Sequence, residues 1–249
     1  MTKRLCCLAP ALLAAALIIN AGCVGPLKGL AGKGAPPPPV AVDEAVMEAL
    51  LRPAEVAEFK GYGEINMSGG GAKASGKIEA HRKNNGYVKA QIYSPFGTAV
   101  ASISSEAFKG VVKVDKEAIE FSYGDKMENV PFPCARNFTY GQFIKSLTGA
   151  MPEAFRELPA SPDSLKQSKK APGKATAVWN SDTLSVRALI VGKKGKPPRL
   201  ETVTFKYNMG GTKFSLLFAG FKKGIASEIT LKEGSKNYIS VKYESVVGK

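Results

Sequence analysis

"EFKGYGEINMS", residues 58–68, decides how this chain folds. Phe59, Gly61, Gly63, Ile65 and Met67 take every second place, with Lys60, Tyr62, Glu64 and Asn66 between them. A period of two belongs to a strand with one dry face, because successive side chains leave opposite sides of a sheet. "AKASGKIEAHRK", residues 72–83, repeats it, setting Ala72, Ala74, Gly76, Ile78 and Ala80 against Lys73, Ser75, Lys77, Glu79 and His81. "YVKAQIY" groups Val88, Ala90 and Ile92, and "TAVASIS" groups Ala99, Ala101 and Ile103. Four such strands in succession predict an antiparallel meander with one wet face. The dry face is poor in bulk, since glycine and alanine fill most of it. A second sheet packed on it would have to fill the space to native density. A strongly bent sheet would instead leave an apolar hollow, or admit a helix close to the backbone, and glycines in strand interiors permit the bend.

The third and fourth strands meet at "YSPFGTAV". Pro95 presets φ for a type I turn, and Gly97 suits the left-handed position of the adjoining bulge. Phe96, between them, is an apolar ring at a tip that the turn itself does not require. Further strands are expected near 108–115 and 118–123. "NFTYGQFIKSLTGAMPEAFRELP" then interrupts with helical spacing: Tyr140, Phe143, Ile144 and Leu147 form a stripe, Gly149 can end the helix, and Met151, Phe155 and Leu158 continue the apolar surface. Strands resume at about 174–180, 184–192, 200–208, 213–221, 225–232 and 237–246, with Val203, Phe205, Phe218, Ile229, Leu231, Ile239 and Val241 inward. About a dozen strands and few helices make a mainly β protein, either a sandwich or a curved, barrel-like sheet.

The amino terminus speaks for export. Lys3 and Arg4 precede the short apolar run "LCCLAPALLAAALII", and "NAGC" follows. Residues 1–22 are therefore expected to be a signal peptide. Ala21 and Gly22 before Cys23 resemble a bacterial lipobox, in which the cysteine receives diacylglycerol and becomes the acylated amino terminus; Asn20 departs from the aliphatic residue usual there. The rival reading is an ordinary secretory signal or an uncleaved anchor. Val24, where aspartate often marks inner-membrane retention, favours delivery to the outer membrane, lipid-anchored and facing the periplasm. Residues 23–42, with "APPPP" inside them, are expected to be a semi-rigid tether. Asp43 then caps a helix through Val42, Val46, Ala49 and Leu50, and residues 43–249 form one domain. Cys134 is the one thiol left after processing, and a buried structural role is expected for it.

The formal charge of the 249-residue chain is +14. An export signal removes nucleic acid as a partner and leaves anionic lipid headgroups. Much of the charge lies in "KQSKKAPGK", "GKKGKPPR" and "FKKG", where solubility alone is the other explanation. Catalysis finds no residue set. Gly71, Gly76 and Lys77 match the start of a phosphate loop, yet Ile78 replaces the Ser or Thr that holds magnesium, and the segment alternates as a strand. His81 is the sole histidine, on the polar face, so neither a triad nor a metal site is expected. Glu153 with Glu157, and Glu55 with Glu58, read as solvated charges, and Trp179 as core or lid. No cofactor is expected.

The lipobox, the first helix, "FKGYGEINM", "YSPFGTAVASI", "FIKSLTGAMPEAF" and the closing hairpins together resemble the LolB-like outer-membrane lipoprotein receptors and their wider LolA-like carrier superfamily, over most of residues 45–246. The resemblance implies an unclosed, strongly curved antiparallel β-barrel whose helix-covered inside holds acyl chains of other lipoproteins. Such a receptor takes acylated cargo from a periplasmic LolA-like carrier and places it in the outer membrane without catalysis. Acyl-cavity lining then falls to Ile65, Met67, Ile78, Val88, Ile92 and Ile103 from the early strands and to Val203, Phe205, Phe218 and Ile229 from the late ones. Phe143, Ile144 and Leu147 become the lid. Ser94, Pro95, Phe96 and Gly97 occupy the family's Asn-Pro-Leu-Gly tip, so Phe96 becomes a membrane-facing wedge. Basic loops at 159–174 and 192–199 depart from the pattern. The alternative is an assembly lipoprotein that uses the same sheet to bind an envelope protein or glycan.

Overall fold

The computed structural model describes residues 41–53, 56–69, 72–114, 117–128, 133–136, 138–171, 173–193, 195–209, 212–222 and 224–248. The signal peptide, Cys23, most of the tether and Glu55 lie outside them. Helix α1 spans Glu44–Leu51, with Asp43 accepting from the Val46 amide as its N-cap. Its buried face is Met47 and Leu51, about a quarter-turn from the expected stripe, and Ala49 is exposed. Six strands follow: β1 Glu58–Gly69, β2 Ala72–Lys83, β3 Val88–Tyr93, β4 Ala99–Glu106, β5 Lys109–Val114 and β6 Glu117–Ser122. A crossing segment carries a short 3-10 turn at Pro133–Ala135, helix α2 at Tyr140–Leu147 and a single helical turn, α3, at Glu153–Arg156. Seven strands close the chain: β7 Ser164–Gln167, β8 Lys174–Asn180, β9 Leu184–Lys193, β10 Lys196–Met209, β11 Thr212–Ala219, β12 Glu228–Glu233 and β13 Asn237–Gly248.

All thirteen strands form one antiparallel sheet in the order β6-β5-β4-β3-β2-β1-β13-β12-β11-β10-β9-β8-β7. Consecutive strands pair throughout except β6 and β7, and at the middle the first strand pairs with the last, Phe59 opposite Gly248 and Ile65 opposite Val241. β6 and β7 are free edges, so the sheet is curved and unclosed, the mainly β architecture that the sequence implied. A bulge between Tyr62 and Gly63 lies in this central seam. Antiparallel pairing sends connections alternately to two ends of the sheet. β1, β3, β5, β8, β10 and β12 therefore finish at the end that carries Phe96, and β2, β4, β7, β9 and β11 finish at the other.

The predicted loops at 159–174 and 192–199 need correcting. The first contains edge strand β7. The second is the β9–β10 hairpin, whose register shifts between Lys196 and Arg199 so that Pro197 and Pro198 fall where no ladder bond is required. Two of the alanines expected inward, Ala74 and Ala99, are exposed near the strand ends.

The core has two parts. Under the late strands it is solid: Val203, Phe205, Phe218 and Ile229 are buried, and Phe155 of α3 meets Phe205 edge-on at 6.0 Å. Trp179 is buried there too, its Nε1 donating to the Pro159 carbonyl at 2.9 Å. Under the early strands α2 enters the space left by the small residues, with Tyr140 stacked on Phe121 at 4.3 Å. Cys134 is buried, and desolvation pushes its thiol up to about 11, which keeps it protonated and unreactive at neutral pH. A maleimide should therefore label Cys134 only when the protein is unfolded; labelling of the native domain at the rate of a free thiol would contradict this packing.

Candidate functional site

Helix α2 is built to close a hollow. Thr139 accepts from the Gln142 amide while Gln142 accepts from the Thr139 amide, a capping box that fixes the first turn. Gly149 ends the helix at φ +72, and a Cβ there would lie 2.4 Å from the Ala226 carbonyl oxygen. Ile144, Leu147 and Thr148 face a pocket whose floor is Ile78, Ala80, Val88, Ala90, Ile92 and Ile103, with Tyr243 at its side. Its free volume is about 30 Å³. That holds a water or two and is far too little for a fatty-acyl chain. Of the two outcomes open to the small-residue face, the helix has come in close and filled most of the hollow.

Two polar pins hold the end of the helix. The Tyr243 hydroxyl donates to the Leu147 carbonyl at 2.9 Å, and burial pushes the Tyr243 phenol well above its ordinary pKa. Arg82 is 7 % exposed, and its Nε donates to Thr148 Oγ1 at 2.9 Å while Nη1 donates to Asn84 Oδ1 at 3.0 Å. A guanidinium taken out of water must be hydrogen-bonded, so these contacts tie β2 to the helix end.

The expected lining residues separate. Ile78, Val88, Ile92 and Ile103 line the pocket together with the lid residues Ile144 and Leu147. Ile65, Met67 and Phe143 belong to the surrounding core instead. Val203, Phe205, Phe218 and Ile229 are packed solidly beneath the late strands and line no part of it. Sequence reasoning missed Tyr243 and Arg82. The signal for Tyr243 was there, two places beyond inward-facing Ile239 and Val241; Arg82 likewise follows Ile78 and Ala80 at the same period, but its charge argued for the surface.

At the hairpin tip the Gly97 amide donates to the Ser94 carbonyl at 2.9 Å, Gly97 takes φ +81, and the Ser94 amide donates to the Thr98 carbonyl at 2.8 Å. This leaves Pro95 and Phe96 projecting, and Phe96 is 94 % exposed. His81 Nε2 lies 2.8 Å from Glu58 Oε1, and that hydrogen bond, helped by Lys60, holds the Glu58 carboxyl below its usual pKa. Among the described residues no group of three or more His, Cys, Asp or Glu could hold a metal ion, and no helix is long and apolar enough to cross a membrane.

No family model and no curated protein matches the sequence. Among solved structures the chain is similar to a DUF1329 family protein from Desulfovibrio piger, at 8% identity and TM-score 0.50 over 85% of this chain and 94% of that one. It is also similar to a LolA superfamily protein from Nitrosomonas europaea, at 10% identity and TM-score 0.43 over 83% and 93% of the two chains. A putative outer membrane lipoprotein-sorting protein domain from Vibrio parahaemolyticus matches at 11% identity and TM-score 0.44 over 84% and 92%. At 8% identity the likeness to the DUF1329 structure is one of fold alone.

Proposed function

We propose that the protein is a non-catalytic, outer-membrane-anchored lipoprotein that shelters acyl chains beneath α2 and helps to insert acylated lipoproteins into the outer membrane. Its partners on this reading are outer-membrane lipid, the acylated cargo and a periplasmic LolA-like carrier. The observation that carries it is the apolar pocket between a floor of isoleucine, valine and alanine side chains and a short, separately capped helix. An acyl chain enters only if the helix moves. Withdrawing Phe143, Ile144 and Leu147 from the core costs about 5–9 kcal/mol, whereas burying a chain of roughly fourteen methylenes returns about 11 kcal/mol. The exchange leaves a surplus of about 2–6 kcal/mol in favour of uptake.

A fluorescent fatty acid such as cis-parinaric acid tests the pocket. Ala90→Leu fills the free space and is expected to weaken uptake roughly tenfold or more, at least about 1.4 kcal/mol, at an overpacking cost in stability of about 1–3 kcal/mol. Uptake unaltered by that variant, or absent from both proteins, would remove the reading. The tip is tested separately. A phenyl leaving water for the bilayer gains about 1.5–3 kcal/mol, and a carboxylate there is penalised instead. Phe96→Glu should leave cargo acceptance intact and block deposition into liposomes; unchanged deposition would end the wedge role.

The second reading, a scaffold for an envelope protein or glycan, is favoured by the small free volume of about 30 Å³. Native mass spectrometry of protein taken from membranes separates the two. Bound lipid or acylated cargo supports the first, and an empty domain with a stoichiometric partner the second.

A further inference from the structure

The wet face of the late strands carries an ordered basic row. Ser185, Lys206, Ser215 and Lys232 stand directly opposite one another across β9, β10, β11 and β12. Opposed residues share a face, and this one lies behind buried Phe205, Leu216 and Leu231. Lys213, two places before Ser215, stands on the same side. These residues wall an open groove of about 370 Å³, to which Asp182 contributes the one carboxylate. Lys206, Lys213 and Lys232 are exposed, and among the described residues none of them is ion-paired. Neighbouring strands are 4.7–4.9 Å apart, so the Lys206 and Lys232 backbones are separated by about 9–10 Å with a serine hydroxyl between. Two flexible ammonium groups flanking a hydroxyl donor match an oxyanion with several acceptor oxygens, as in a phosphodiester.

The groove's place selects the source of that phosphate. β8, β10 and β12 finish at the same end of the sheet as Phe96, whereas Lys169, Lys170, Lys174, Lys193, Lys196 and Lys222 stand at the opposite end. A dissolved phosphate has no use for an exposed phenyl ring at the same end; a bilayer presents phosphates in a plane just above the depth such a ring enters. We infer that the β9–β12 groove is a docking site for anionic phospholipid headgroups, which orients the Phe96 end toward the membrane. The inference rests on the membrane-facing role of that end but not on the acyl pocket, which fatty-acid uptake reads independently.

The test places the full chain in vesicles of phosphatidylcholine, with or without about one third phosphatidylglycerol, and follows acetylation of individual lysines by mass spectrometry. Lys206, Lys213 and Lys232 should react several-fold more slowly in the anionic vesicles, while Lys109 and Lys193 at the opposite end react alike in both. Raising salt to 1 M, which shortens the screening length to about 3 Å, should abolish the difference. In Lys206→Gln/Lys232→Gln, Lys213 should lose its protection. Equal rates in the two compositions, or equal slowing of Lys109 and Lys193, would overturn the proposal. So would the same protection from inorganic phosphate with phosphatidylcholine alone, because the groove would then be a site for a dissolved anion.

Discussion

Phe205→Ala is expected to destabilise the domain by about 3–5 kcal/mol, the usual cost of removing a fully buried phenyl ring. For a chain of this size that lowers the melting temperature by roughly 10–15 °C. Phe205 has no solvent exposure and touches rings on three sides: Phe155 at 6.0 Å, Phe218 at 6.0 Å and Tyr207 at 6.2 Å. Phe155 comes from α3, so the same truncation loosens the crossing segment from the sheet. The experiment also decides between two roles for this residue. A side chain that lines a ligand hollow can be shortened at small cost, because the room it vacates joins room already there. One that fills a solid core cannot. Thermal unfolding followed by circular dichroism should place Phe205→Ala far below wild type and Phe96→Ala beside it; a shift of only a degree or two for Phe205→Ala would mean that the late half of the sheet is hollow after all.

Gly63→Ala is the second large effect. A Cβ at this position would lie 2.2 Å from the Lys242 carbonyl oxygen and 2.6 Å from the Tyr243 Cα, both backbone atoms of β13. Neither can turn aside as a side chain would, so the seam between first and last strand must part locally, and a loss of about 3 kcal/mol follows from overpacking of this kind. Gly97→Ala is the comparison: nothing lies within 4 Å of its Cβ, yet φ is +81. It should lose only about 1–2 kcal/mol through left-handed backbone strain. Denaturant midpoints give the two values, and hydrogen exchange localises them. Faster exchange at β1 and β13 amides is expected for Gly63→Ala alone; equal midpoints for the two variants would refute the account of the seam.

The early strands were legible because they obey one period with a polar residue in nearly every alternate place. Helix α2 was legible for the corresponding reason, four apolar residues at helical spacing before a glycine. β7 was not, since "SLKQ" is a short edge strand with polar character, and edges are commonly made so to discourage pairing with other chains. Both arms of the β9–β10 hairpin were legible, at 184–192 and 200–208; only its tip, with Pro197 and Pro198, read as a loop until the register shift explains how a strand contains them. The candidate site was partly legible. Ile78, Val88, Ile92, Ile103, Ile144 and Leu147 do meet around one pocket, whereas Phe205 and Phe218, equally inward, support a different part of the core. Inwardness is written in the period; which inward residues share a space is decided by where the crossing segment lies. Lys206 and Lys232 were hidden by the same limit, because what brings them to either side of Ser215 is cross-strand register.

The central pairing of β1 with β13 has a consequence for biogenesis. A chain made from its amino terminus completes β1 early and must keep one side of it unmatched until Asn237–Gly248 arrives. Throughout that interval the half-sheet offers a long row of free amides and carbonyls in the middle of what will become the sheet, guarded only by exposed charges such as Lys60 and Glu64. Escort by a holding chaperone, and slow final closure governed by the most distant contact in the chain, are what this topology asks for.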